Sequence, residues 1–299
     1  MSQLTSLWHY LSLSPNFVPA VVGVAASFAG AWGAQVAILR RDQRREVLAS
    51  VRAVNEALAL SYAIGNNFLS LKNQHVKGML ERFREAESSV QAQLQRIFAS
   101  PPSDKIVPIQ TAMELQTMPI SKVPIDRLET VVFEKLSVNT KTLNIVIEVN
   151  KAIDALSSSL KIRNDLIQKW KDEGLTVSEF ERTVRYFGFH TEKGADETYK
   201  QNLHAIGKYC DDCIYFTTRL DEALNEHGKR IRRNRYRLFN PLPKLVEADF
   251  SSERAQRLMP DPKEYEDWES GFVMQPTFRD KLAKMVSRKK KPVTSSQNP

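Results

Sequence analysis

The sequence predicts an all-α protein: one N-terminal transmembrane helix followed by an elongated antiparallel bundle of heptad-patterned helices. Three observations predict it. Residues 17–39 carry no charged side chain, and about 20 such residues cross a bilayer core as a helix. All fourteen prolines lie at positions 15 and 19, between 101 and 124, or from 241 onward, which frees residues 20–100 and 125–240 of the residue that breaks helices and central strands. Within those intervals apolar residues recur every seven positions, and no strand-like alternation competes.

The composition agrees with an ordered protein. Of 299 residues, 42% are hydrophobic and 26% charged, ordinary values that exclude wholesale disorder. Two cysteines cannot form a disulfide scaffold, which points to a reducing compartment. The net charge of +8 admits anionic lipid or nucleic acid as a partner without choosing between them.

The span is expected over residues 17–39, with 1–16 as a short extracytoplasmic N-terminus. Arg40, Arg41, Arg44 and Arg45 follow it at once; arginines beside a span stay on the cytoplasmic side, so the rest of the chain is expected inside the plasma (inner) membrane. A secretory signal peptide fits poorly, since its basic flank precedes the apolar run and that run is shorter. Insertion is marginal: nine residues of the run are Val, Ile, Leu or Phe, opposed by Gln35, Pro19 and three glycines. The alternative is an Ala-rich helix in a soluble core, which leaves the arginine cluster unexplained. Gly23, Ser27 and Ala31 fall four apart, as do Ala26, Gly30 and Ala34. Two such rows let another helix backbone approach closely and suggest a homo-oligomer; the plainer reading is that Ala and Gly are simply frequent here.

The first bundle helix is expected over about 40–98. Positions 48, 55, 62, 69, 76, 83, 90 and 97 are Leu, Asn, Tyr, Leu, Val, Phe, Val and Ile; a second series starts at Val51 and Leu58 and runs through Gly65. One unslipping phase favours a single helix through Gly65-Asn66-Asn67, with Asn55 as a register-setting polar residue in the core. Ala99 to Pro124 holds five prolines, too many for helix, yet Met113, Leu115 and Met118 suggest that it lies on the bundle. The second helix, about 126–173, carries Val146, Ile153, Leu160 and Ile167 interleaved with Val149, Leu156 and Trp170, and Gly174 suits a left-handed end. Thr176 with Glu179 resembles a capping box before Phe180, Val184 and Phe187, a segment that Gly188 ends. The third helix, about 196–237, carries Leu203, Cys210, Thr217, Leu224 and Ile231 beside Tyr199, Ile206, Cys213 and Leu220. Residues 40–240 thus read as a cytoplasmic bundle. Residues 241–299 hold half of the prolines and end in Arg288-Lys289-Lys290-Lys291, which reads as a largely disordered basic tail. Within it Phe278, Leu282, Met285 and Val286 would suit a short surface helix.

Three constellations bear on chemistry. His190-Thr-Glu192 and Cys210-Asp-Asp-Cys213 resemble the zinc deaminase signature at those four residues, a likeness that would imply zinc on His190, Cys210 and Cys213 with Glu192 moving protons. Tyr209 stands where that family has proline, and a helical context lacks its mixed sheet. A structural zinc site of Cys210, Cys213 and two of His190, His204 and His227 is a separate possibility, but His204 points away from both cysteines on one helix. The cysteines also lie on the core series, where a thiol packs as a small apolar group. Finally, Lys229, Arg230, Arg232, Arg233, Arg235 and Arg237 put six cations in nine residues, with Tyr236 among them. Such a run suits nucleic acid or anionic lipid, or simply favours a helix C-terminus. If the three helices run out, back and out again, it lies far from the bilayer, favouring an anionic partner in the cytoplasm; nucleic acid is not the favoured one.

No phosphate-binding loop, dinucleotide turn or hydrolase motif is present. The function expected is that of a membrane-anchored helical scaffold, sensor or effector acting through an unknown cytoplasmic protein partner, with no cofactor. The alternatives are a zinc enzyme and nucleic-acid or lipid binding through the basic run.

Overall fold

The computed structural model describes residues 17–99, 109, 111–174, 177–191, 194–235, 242–246 and 249–271. The elements are α1 (Phe17–Leu71), a π-turn (Lys72–Val76), α2 (Lys77–Ala99), α3 (Ile125–Lys135), α4 (Thr140–Glu173), α5 (Glu179–Phe187), α6 (Thr198–Arg235), and the short α7 (Glu253–Gln256), a 3₁₀ turn (Pro262–Tyr265) and α8 (Glu266–Ser270). The protein is all-helical: the described residues contain no strand, and one isolated bridge joins Thr191 to Gly194. Two compact units divide at Leu258. The described part of the second unit is the 3₁₀ turn and α8, entered through Asp261, whose carboxylate accepts from Lys263 N–H at 3.0 Å.

Helix α1 passes through the π-turn into α2 without a break, and its two halves differ. From Pro19 to Glu46 every described side chain is exposed except half-buried Val36. Packing begins at Val47. From there a buried line runs through Val47, Val54, Ser61 and Phe68, then Val76, Phe83 and Val90, with Val51 and Leu58 of the second expected series buried beside it. The step across the π-turn is eight residues where all others are seven, so the expected single phase does slip by one residue. A π-turn accommodates one extra residue, which brings the apolar stripe back onto the same neighbours. The series Leu48, Asn55 and Tyr62 is consequently not core: it lies one residue round the helix, and Tyr62 is 38% exposed. Gly65 is helical; an added Cβ would lie 3.0 Å from Thr217 Oγ1 and 3.2 Å from Phe250, so its smallness serves close packing and not a turn.

The apolar series of the other two long helices are buried throughout, from Val146 to Trp170 in α4 and from Tyr199 to Leu224 in α6. Burying one such Leu or Ile stabilises the fold by roughly 1.5–3 kcal/mol. The second expected helix is divided in two at Leu136–Asn139. Asn139 caps α4, its Oδ1 accepting from Thr142 N–H and Thr142 Oγ1, both at 2.8 Å, and this alternative to continued helix ends α3 at Lys135. Gly174 follows α4 at φ 52° and ψ −128°, a positive φ outside the left-handed helical region. Helix α5 is capped by Ser178, which accepts from Glu181 N–H at 3.1 Å; the Thr176 of the expected box lies outside the described residues. Gly188 ends α5 in the left-handed conformation.

The order of the helices differs from the expected out, back and out. Helix α6 runs antiparallel to α1–α2: Lys200 pairs with Glu87 at 2.6 Å, Gly207 meets Leu80, Lys72 pairs with Asp211, Ser61 Oγ donates to Thr217 O, and Gly228 meets Val54. Helix α4 is antiparallel to α6, with Asn202 bonded to Ser159 O and Trp170 against Tyr199. Helices α1 and α4 therefore point the same way. The chain returns between them through the proline-rich segment and α3, which sits beside Glu56 through Arg127 and Lys135. An extended chain covers about 3.3 Å per residue against 1.5 Å in a helix, so residues 111–124, which form no helix, retrace more helix per residue than a helical return would.

Candidate functional site

Two extended segments are held by side chains of the bundle, and both clasps turn on an asparagine. In the return segment, Asn164 of α4 accepts from Met118 N–H at 2.9 Å and donates to Met118 O at 2.8 Å. Arg163, fully buried, donates to Gln116 O at 2.7 Å. Tyr186 Oη accepts from Glu114 N–H, and Tyr199 Oη donates to Glu114 O. The Glu114 carboxylate receives both arms of Arg82 at 2.9 Å, a bidentate geometry stronger than a single neutral bond.

Beneath this segment Phe83, Trp170, Tyr186, Phe187 and Tyr199 form one aromatic nest, with Tyr186 and Tyr199 ring centroids 4.7 Å apart. The Arg163 guanidinium lies 6.0 Å from the Tyr199 centroid. Burial pushes both tyrosine hydroxyls above their ordinary pKa, so they stay protonated and serve as hydrogen-bonding groups. The chemistry here is main-chain recognition. Nothing in the nest is poised as a nucleophile.

The second clasp holds part of the stretch after Asn240 expected as a largely disordered tail: residues 244–246, Phe250 and Leu258 contact the bundle. Asn55 donates to Lys244 O at 2.9 Å and accepts from Val246 N–H at 3.0 Å, bracketing Leu245. Leu242 is buried with Val47, against Leu48 and Ile231. Leu245 lies over Gly228, where an added Cβ would meet its Cδ2 at 2.8 Å. Phe250 stacks on Tyr62 at 5.2 Å between ring centroids, and Lys72 donates to Leu258 O at 2.7 Å. The line Leu48, Asn55, Tyr62, set aside by the one-residue phase offset, is thus the line that holds this C-terminal strap. Residues 272–299, including the expected amphipathic stretch and Arg288 to Lys291, lie outside the described residues.

The metal constellation does not assemble. Cys210 and Cys213 are both fully buried, with Cys210 Sγ 3.7 Å from Phe68 O. Burial pushes the Cys210 thiol up to about 12 and Cys213 well above its usual value, opposite to the depression a reactive or ligating thiol needs. His204 and His190 are exposed, the former edge-on to Phe83 at 6.5 Å. Glu192 lies outside the described residues. Among the described residues no three His, Cys, Asp or Glu side chains come together as a metal site.

The small residues Gly23, Ala26, Ser27, Gly30, Ala31 and Ala34 are all exposed, and nothing lies within 4 Å of where a Cβ on Gly23, Gly30 or Gly33 would be. Ser27 Oγ donates back to Gly23 O at 2.8 Å. Arg40, Arg41, Arg44 and Arg45 are exposed on the same helix. Lys229, Arg230 and Arg233 are exposed and Arg232 half-buried at the C-terminal end of α6, while Arg237 lies outside the described residues. Because α6 runs back along α1, Ile231 packs on the cluster of Val47 and Leu242. The basic run therefore lies at the end of the bundle from which the apolar helix emerges, and not at the distal end that the expected helix order implied.

No family model, no curated protein and no solved structure matches this chain.

Proposed function

We propose that the chain is a single-pass membrane protein, N-terminus outside and bundle in the cytoplasm, that works as a scaffold, sensor or effector through protein–protein contact. The observation that carries the reading is the first half of α1. A helix long and apolar enough to cross a membrane has its most apolar window fully exposed, and Val21, Val22, Val24, Phe28, Trp32, Ile38 and Leu39 face outward. A run of exposed large apolar groups on this scale needs a non-aqueous partner, and lipid fits its length. The helix continues unbroken into packed residues from Val47, which suits an anchor that stays attached better than a cleaved leader. Arginines at its inner boundary support the orientation.

Alkaline carbonate treatment of vesicles holding the full-length chain tests the anchor: retention is expected, and release overturns it. A reporter fused behind Pro299 should be active on the cytoplasmic side only. The uncovered small-residue rows support association of two or more copies in the membrane. Crosslinking in membranes should give oligomers that Gly30→Leu reduces; a monomeric population in both would remove that part of the reading.

A further inference from the structure

We infer that the C-terminal end of α6 and the start of the cytoplasmic stretch of α1 form one cationic surface that binds the headgroups of anionic phospholipids. This rests on the membrane reading above and names the partner of the basic run. Gly228 lies against Val54 and Ile231 packs on the cluster of Val47 and Leu242, and in an antiparallel pair each step toward the end of α6 is a step toward the start of α1. The Gly228–Val54 register carries Arg233 about level with Ala49. Ala49 lies eight positions after Arg41, about 12 Å along the helix, so Arg233 stands within about one and a half Debye lengths of the boundary set by Arg40 and Arg41, with Lys229 and Arg230 about one turn further.

The charge is strongly one-sided. Residues 229–237 hold six cations and no acid, and Arg40, Arg41, Arg44, Arg45 and Arg52 face only Asp42 and Glu46 in their own stretch. All five arginines on α1 and three of the cations on α6 are exposed. The strap adds exposed Lys244 at the same end, its main chain held by Asn55. A nucleic acid would have to enter between this surface and the bilayer, whereas lipid phosphate and carboxylate groups already lie there. Basic side chains at that depth each favour an anionic leaflet by about fivefold.

The test uses the full chain in vesicles, with a donor dye on Glu226→Cys, an exposed position one turn before the run; Cys210 and Cys213 are buried and escape labelling. Energy transfer is compared between acceptor-labelled phosphatidylserine and acceptor-labelled phosphatidylcholine at equal density. Expected is a preference for phosphatidylserine that falls with added salt and drops by about fivefold for each of Arg230→Gln and Arg233→Gln. Equal transfer to both lipids in a chain that still floats with the vesicles overturns the proposal alone, as does a preference that these substitutions leave unchanged. Failure to float overturns the membrane reading and this proposal with it. Binding of a single-stranded oligonucleotide to the vesicle-bound chain, without any lipid preference, would assign the surface to nucleic acid and overturn it as well.

Discussion

Asp221 shows how one side chain on the buried face of α6 affects the whole fold. It is 4% exposed, and burial, helped by neighbouring Glu222 and opposed by Ser61, pushes its carboxyl from 3.8 up to about 7. The native state then holds this proton more tightly than the unfolded chain, so its contribution to stability is complete below about pH 4. That contribution is lost as pH rises toward 7 and is constant above it. Three units correspond to roughly 4 kcal/mol at most. Asp221→Asn should therefore be close to the parent chain at pH 4 and more stable at pH 8. Denaturant midpoints of the two chains across that range check it, and a constant difference would show that the carboxyl is ionised in the fold. The cysteines illustrate the same force acting on another group: their placement on a heptad series already indicated burial, and burial, helped by Asp211 beside Cys210 and by Cys210 and Asp212 beside Cys213, raises their thiol pKa.

At the scale of elements, the two asparagine clasps decide which loops behave as structure. Asn164 holds the return segment and Asn55 the strap, each by using both ends of its amide on extended main chain. Removing either leaves backbone groups to find water, at about 1–3 kcal/mol. The strap offers the sharper experiment. Gly228→Val puts a branched side chain where Leu245 and Val54 already lie, at 2.8 and 3.0 Å from the new Cβ, while α6 tolerates the change in propensity. The strap should detach with the long helices intact, read as limited proteolysis near Leu245 many-fold faster at unchanged helical circular dichroism. Protection equal to the parent would show that Leu245 does not need the gap. The π-turn belongs to this scale too, because it realigns a stripe of buried residues whose spacing contains one step of eight.

For the whole molecule, the deciding fact is that an extended segment, and not a helix, makes one of the returns. Helices α1 and α4 are thereby parallel, α6 runs antiparallel to both, and the basic run lies at the end of the bundle from which the exposed stretch of α1 with Arg40 to Arg45 emerges. Spin labels at Arg45 and Arg233 should accordingly lie within about 25 Å, given helix axes 8–10 Å apart; an arrangement with α6 running outward would separate them by about 60 Å. A long distance would overturn the helix order described above. Much of the molecule was legible in the residues themselves. Fourteen prolines in three places marked where helix stops, Val146 to Trp170 and Tyr199 to Leu224 marked the buried faces, and the uncharged stretch before Arg40 marked the exposed apolar helix. Those are local properties, since backbone geometry and side-chain period act within one element. The Asn139 cap that splits the second helix and the eight-residue step at Val76 were also present in the sequence, but their effect depends on which neighbours the flanking turns touch. The destination of Leu48, Asn55 and Tyr62, the docking of Leu242 and Leu245, and the direction of α6 belong to the tertiary structure alone. The Asn55 contacts of the strap join residues 189 and 191 positions apart and the hydrogen bonds from α1 and α2 to α6 join residues 113 to 156 apart, and a repeat of seven is equally satisfied by a helix running either way.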